Sequence, residues 1–269
     1  MSTAIAAPFR PSVGSLVREW RTRRRRSQLD LAVEVGMSTR HLSFVETGRS
    51  RPSPELLMTI AEHLDVPLRE RNGLLLAAGY APRYGHRALD EPALRTVRAS
   101  LQRMLDAHDP YPGVVIDRCW NVVAANAAAG RLVAGVPAGL LGPPMNVYRV
   151  CLHPDGLAAR TVNFADWART LLGQLRRSLA VTADPALQSL LDEVTGYPNV
   201  AALGGREVGV VGEEPPLLVP VTLVADDVEL SLFTTLTTFG TPRDVTLDEL
   251  AVELFFPADD QTAAVLRGS

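Results

Sequence analysis

Apolar and small residues in the stretch Gln28 to Gly48, QLDLAVEVGMSTRHLSFVETG, fall where two short helices joined by a tight turn need them. Ala32 is small enough for a second helix to cross close above it. Gly36 sits where the turn requires positive φ, which glycine reaches without steric cost. Leu29 and Val33 on the first helix, with Leu42 and Val45 on the second, are expected to face inward at helical spacing. Upstream, Val13 to Arg23 reads as a helix with Leu16, Val17 and Trp20 on one face. Downstream, Ser53-Pro54-Glu55 is a helix start, with Ser as N-cap and Pro at N1. Leu56, Leu57, Ile60, Ala61 and Leu64 then line one side before Pro67, and Leu68 to Ala78 supplies a fifth helix. Five short helices in about 70 residues predict a compact all-α domain. The tight pair inside it has the layout of a helix-turn-helix, whose second helix enters the major groove of double-stranded DNA.

Residues 79 to 92, GYAPRYGHRALDEP, form a glycine- and proline-marked joint. A helix is expected from about Pro92 to Ala107, with Leu94, Val97, Leu101, Met104 and Leu105 as its apolar stripe. That stripe packs against the second domain or is shared with a dimer seam. From Tyr111 the period shortens: GVVIDRCW and NVVAAN are β-rich runs bent at Asp117 and Arg118, and Asn126 opens a helix. Three more strand candidates come late, LLVPVTLVA, VELSLFTTLTTF and AVELFF, with Asp226-Asp227 as the hairpin turn between the first two. Between them lie helices at Asn163 to Ala180, with Phe164, Trp167, Leu171, Leu172 and Leu175 inward, and at Pro185 to Val194 behind Asp184. Two strands, helices, then three strands predict an α+β, PAS-like domain: one antiparallel five-stranded sheet with helices over one face and room for a pocket between. The expected organisation is a head at 1–80, a linker and connecting helix at 81–108, and a second domain at 109–269.

Composition narrows the setting. Hydrophobic residues make up 46% of the 269, enough for two real cores. All 27 cationic residues are arginine; residues 1–88 carry a net charge of +6 and residues 89–269 a net of −9. A basic head on an acidic body localises attraction for phosphate. The run Arg21, Arg23, Arg24, Arg25 and Arg26 closes the first helix, beside the reading pair. The N-terminus lacks the long apolar stretch of a signal peptide, and no run of 18 apolar residues occurs, so a cytoplasmic chain with no membrane partner is expected. Cys119 and Cys151 are then expected to be reduced. An enzyme is not expected: there is no Walker loop, no H-E-x-x-H and no C-x2-C. His153 with Cys151 offers too few ligands for a metal.

Residues 13 to 78 resemble the Cro/repressor (XRE) group of lambda-repressor-like heads, and SQLDLAVEVGMSTRHLSFVETGRSRPS carries the likeness. The resemblance implies that Ser38 caps the reading helix, leaving Thr39, Arg40, Ser43 and Phe44 outward. Arg40 is suited to guanine O6 and N7, and Thr39 and Phe44 to a thymine methyl. Gln28 is expected to grip a phosphate, with Arg24, Arg25, Arg49 and Arg51 as further backbone contacts, and Glu46 to be structural.

A second resemblance runs through PYPGVVIDRCWNVVAANAAA, NVYRVCLHPDGLAARTVNFADWARTLLGQLRR and FGTPRDVTLDELAVELFFPADDQTA. These look like the ligand-binding domain of MmyB-like transcription regulators, and with the head the likeness spans about residues 13 to 267. It implies a pocket for a small apolar ligand of the long-chain fatty-acid class, and no other cofactor. The glycine-rich stretch 196–216 departs from the longer, more aromatic segment of many relatives. An acyl tail needs dry apolar walls, and its carboxylate needs a cation or donors. Asn126, Arg149 and Asn163 are polar groups among apolar neighbours in the matched motifs, and Trp167 is a candidate wall. Each also has a plain structural reading: a helix cap for Asn126, a surface ion pair for Arg149, core for Trp167. Two functions are compatible with these residues. One is a homodimeric, ligand-responsive regulator; the other is a constitutive DNA-binding protein whose second domain serves docking or dimerisation.

Overall fold

The computed structural model describes residues 11–204, 217–225 and 227–268. It separates into two compact units, Met1–His86 with Pro242–Asp248, and Arg87–Thr241 with Glu249–Ser269. The first unit is a five-helix head: α1 (Val13–Arg23), α2 (Gln28–Val35), α3 (Thr39–Glu46), α4 (Pro54–His63) and α5 (Leu68–Ala77). Local chemistry starts and stops these helices. Ser12, Ser38 and Ser53 each accept a backbone N–H of their own first turn. Ser27 and Asp30 form a reciprocal capping box. Gly36 ends α2 at φ 74°, the left-handed turn that aims α3.

Val17, Trp20, Leu31, Ala32, Leu42, Leu57, Ile60, Leu64 and Leu74 form the core of the head. Leu29 and Val33, expected inside, are 61% and 70% exposed. Helix α2 turns Gln28, Leu31, Ala32 and Val35 inward instead, which places positions 29 and 33 on its outer flank. Gly14 on α1 is the close-approach point: a Cβ there would lie 2.7 Å from the Glu46 carbonyl oxygen. Only glycine lets α1 pack against the end of α3 at that distance.

The second unit opens with α6 (Arg95–His108), then β1 (Gly113–Ile116) and β2 (Val122–Ala125). Next come α7 (Ala127–Leu132), α8 (Ala138–Leu141), α9 (Val147–Leu152), α10 (Phe164–Thr182), α11 (Pro185–Thr195) and α12 (Pro198–Ala201). The chain returns through β3 (Val221–Ala225), β4 (Val228–Thr238), the helical turn α13 (Val245–Asp248), β5 (Ala251–Pro257) and α14 (Asp260–Gly268). The strands form one antiparallel sheet in the order β2-β1-β5-β4-β3. Ala225 pairs with Val228 across the expected hairpin, and Asp227 has φ 62°. Asp226 and much of the glycine-rich stretch, 205–216, lie outside the described residues.

Val114 and Glu253 are in register, as are Val221 and Leu232, so one sheet face is set by Val114, Glu253, Phe255, Val221 and Leu223. The helices from α7 to α10 cover that face. On the other, Leu254 and Phe256 meet α6: the His108 ring stands edge-on to Phe256 at 4.9 Å. Leu105 and Leu254 crowd the space where a Gly113 Cβ would stand. Helices therefore flank both faces: α6 meets Leu254 and Phe256 through Leu105 and His108, and Phe233 stacks on Phe256 at 5.5 Å. Met104 lies outside that contact and is exposed.

The connection from β4 to β5 is grouped with the head. Val245 N donates to the Gly85 oxygen at 2.7 Å, and the Asp248 carboxylate accepts Leu68 N at 3.0 Å. Helix α5 begins after Pro67, which has no side chain to cap it, so Asp248 supplies the missing acceptor.

Candidate DNA-reading face and ligand pocket

Helix α3 buries Leu42, Val45 and Glu46 and turns Arg40 and His41 outward, with Thr39, Ser43 and Phe44 half-buried. Two guanidinium groups lie over the Phe44 ring, Arg40 at 5.4 Å and Arg49 at 5.9 Å. Cations over an aromatic face are held there electrostatically, which orders both side chains beside the helix. Arg51 is exposed and stacks over Tyr80 at 4.6 Å. Arg25, at φ 55°, is also exposed.

Other candidates are engaged within the head. Arg24 donates to the Leu64 and Asp65 carbonyls, both at 2.8 Å, tying α1 to the end of α4. Gln28 donates its amide to Glu46 at 2.7 Å. Glu46 also receives Arg21 through both carboxylate oxygens, at 2.6 and 3.0 Å. Burial pushes the Glu46 carboxyl up, but the donors from Arg21 and Gln28 outweigh it and hold the group below the usual carboxylate range. This buried fork locks the reading helix to α1 and α2.

The second site is a cavity of about 100 Å³ between the sheet and the helices. Val114, Val122, Val221, Leu223 and Phe255 form its floor, and Leu132, Val150, Leu157, Trp167 and Leu171 its roof. Trp167, the wall candidate, is buried and lines this cavity. Arg149, Asn126 and Asn163 are not among the lining residues. Arg149 forks onto Glu193 at 2.8 Å through both nitrogens. Asn126 accepts from Gly113 N and Ala129 N and donates to the Leu105 and Tyr111 carbonyls, so it caps α7 and joins α6 to β1. Asn163 ties α10 to β3 by bonding the Pro220 oxygen and Thr222 N.

Sequence reasoning missed two lining groups. Cys151 is a half-buried thiol that desolvation pushes up to about 12, which keeps it protonated and unreactive. Glu253 is 5% exposed on the cavity floor. Burial raises its carboxyl to about 7, against a hydrogen bond from Thr234 that lowers it. The signal was present in AVELFF: a glutamate two residues from Phe255 shares that residue's sheet face. Among the described residues no three metal-ligating side chains come together, and no helix is long and apolar enough to cross a membrane.

A helix-turn-helix head followed by a sheet-and-helix domain with an apolar cavity defines a DNA-binding regulator with a ligand-binding domain. Residues 17–71 match the helix-turn-helix family, and residues 97–268 match the MmyB-like transcription regulator ligand binding domain. The second match covers well over half of the chain, which therefore belongs to the MmyB-like transcription regulators. No curated protein matches the chain.

Proposed function

We propose that this chain is a cytoplasmic homodimer whose PAS-like second unit binds one long-chain, fatty-acid-like molecule and so sets the DNA affinity of the head. The observation that carries this reading is the cavity lined almost wholly by hydrocarbon. Each CH2 placed there adds about 0.8 kcal/mol. A cavity of about 150 Å³ holds a single benzene, so at about 100 Å³ the present space is too small for a whole acyl chain. A long tenant pushes the walls apart or leaves its far end outside. A ligand that displaces walls binds the displaced arrangement better, and that difference is what lets it shift an equilibrium.

The course of the chain supports the link to the head. Strand β5, which carries Glu253 and Phe255, begins three residues after Asp248, the cap of α5. A dimer supplies two reading helices for half-sites about 34 Å apart or a multiple of it. The alternative, constitutive DNA binding with a docking domain, calls for a filled core, and the cavity weighs against it. The test is native mass spectrometry of the full chain, with anisotropy titrations on an operator selected from random duplexes. A lipid should co-purify, and added acyl ligand should shift operator affinity several-fold. Ala129→Leu, which fills the cavity, should abolish that shift and leave DNA binding intact. An empty protein whose affinity ignores acyl ligands would overturn the reading.

A further inference from the structure

We propose that the polar end of the pocket's ligand is a hydrogen-bond donor, a hydroxyl, amide N–H or ammonium group, received by the Glu253 carboxyl on β5. This inference rests on the reading of a long-chain apolar ligand above, keeps its tail, and puts a donor where a fatty acid has its carboxylate. Glu253 is the one charged side chain lining the cavity among the described residues. Among the other lining side chains, the Thr161 hydroxyl is given to the Leu157 oxygen, and the Cys151 thiol, although it feels the Glu253 charge, makes no hydrogen bond to Oε2. The Thr234 hydroxyl, on β4, stands near enough to the carboxyl to lower its pKa against the effect of burial. Oxygen Oε2 has no partner among the described residues.

A carboxyl with an open oxygen in dry walls is costly, because transfer from water is compensated only by hydrogen bonds or an opposite charge. A guest that donates to Oε2 relieves that cost. Above the pH at which Glu253 ionises, a guest carboxylate does the reverse, since two like charges at contact resist being ionised together. Among the described residues no arginine lines the cavity, and Arg149 is held by Glu193. Tyr148, buried on α9, has a hydroxyl that is also partnerless among the described residues, but it does not line the cavity.

The test compares three probes of equal chain length, tetradecanol, tetradecylamine and tetradecanoate, titrated into the full chain at submicellar concentration. At about pH 8.5, above the value of about 7 that burial gives Glu253, the alcohol or the amine should bind at least about tenfold more tightly than the carboxylate. A stronger amine identifies a cationic head; a stronger alcohol, a neutral one. Glu253→Gln keeps the shape and an acceptor oxygen. It should retain the alcohol, weaken the amine about tenfold and admit the carboxylate. Glu253→Leu should bring alcohol and carboxylate within about twofold, while Tyr148→Phe should preserve the wild-type order. Tetradecanoate binding as well as the alcohol in the wild type, or an unchanged ratio in Glu253→Leu, overturns the head-group inference and leaves the pocket standing. No binding of any probe, with no co-purified lipid, removes the pocket reading and this inference with it.

Discussion

Among the described residues each unit of the chain buries one glutamate, Glu46 at 8% and Glu253 at 5% exposure, and the two are treated in opposite ways. Glu46 is surrounded by donors, two from Arg21 and one from Gln28, and is held in its charged form. Glu253 has, among the described residues, only the Thr234 hydroxyl to offset burial, an open oxygen and a carboxyl raised to about 7. Equal burial thus has different meanings. A satisfied buried charge joins helices that must keep one geometry, as a reading head does. An unsatisfied one sits at a cavity, where the missing partner can come from outside the chain.

The largest expected effect tests the first half of that contrast. Glu46→Ala leaves the Arg21 guanidinium, itself nearly buried, without its partner. Breaking such a pair costs about 3–5 kcal/mol, so the head should unfold at markedly lower urea, and operator binding should fail with it. A loss under about 1 kcal/mol would mean that the fork holds no more than a surface ion pair does.

Next in size is the pH response, in which the two glutamates have opposite signs. Folded Glu253 keeps its proton up to about 7, whereas the unfolded chain releases it above the usual 4.5. Unfolding therefore releases a proton between those values, and stability of the ligand-binding unit falls as pH rises, by up to about 3 kcal/mol. Glu46 is held below its usual range, so its stabilisation is present at neutral pH and is lost as pH falls through its folded value. Urea titrations from about pH 4 to 8.5 should show Glu253→Gln flattening the neutral-side fall while the acid-side loss persists. If the variant keeps the wild-type fall, Glu253 is not the group responsible.

Arg40→Ala comes third. It should weaken operator binding by about 1–3 kcal/mol at fixed salt and relax preference at one base pair. Phe44→Ala removes the ring that both Arg40 and Arg49 lie over. It should cost less, about 0.5–1 kcal/mol per guanidinium released. Equal losses on every duplex sequence would make Arg40 a phosphate contact rather than a base reader.

The parts of this picture that sequence shows are those governed by neighbours along the chain. Ser12, Ser38 and Ser53 each cap within three residues, and Gly36 turns in place, so the head is legible. Helix α2 is the instructive miss: it spans barely two turns, and the sets 28, 31, 32, 35 and 29, 32, 33, 36 both satisfy helical spacing. Only the packing of α3 and α4 chooses between them. In the second unit, Asn126, Arg149 and Asn163 look like pocket groups because they are polar among apolar neighbours. Each is instead absorbed by backbone or side-chain partners up to 59 residues away. Alternation puts Glu253 on the sheet face of Phe255, but its place beside a cavity is not legible in sequence, for a related reason. Which face of β5 is roofed depends on helices α7 to α10, and those arrive from before the strand in sequence.

Asp248 gives the smallest effect and the sharpest use of the comparison. Its carboxylate caps α5 across 180 residues of sequence. Removing a helix cap costs about 1 kcal/mol, so Asp248→Ala should lower the urea midpoint of the head slightly, and Asp248→Asn, which keeps an acceptor, should not. The informative readout is different. Residues 245–248 are bonded to the head at one end and continue into β5, the strand that holds Glu253, at the other. If that stretch carries the response, Asp248→Ala should leave operator affinity without ligand near wild type and reduce the shift on adding ligand. Asp248→Asn should restore the shift. A full response in Asp248→Ala would separate the two buried glutamates entirely: one would hold the reading helix, the other would meet the ligand, and the signal between them would pass by another path.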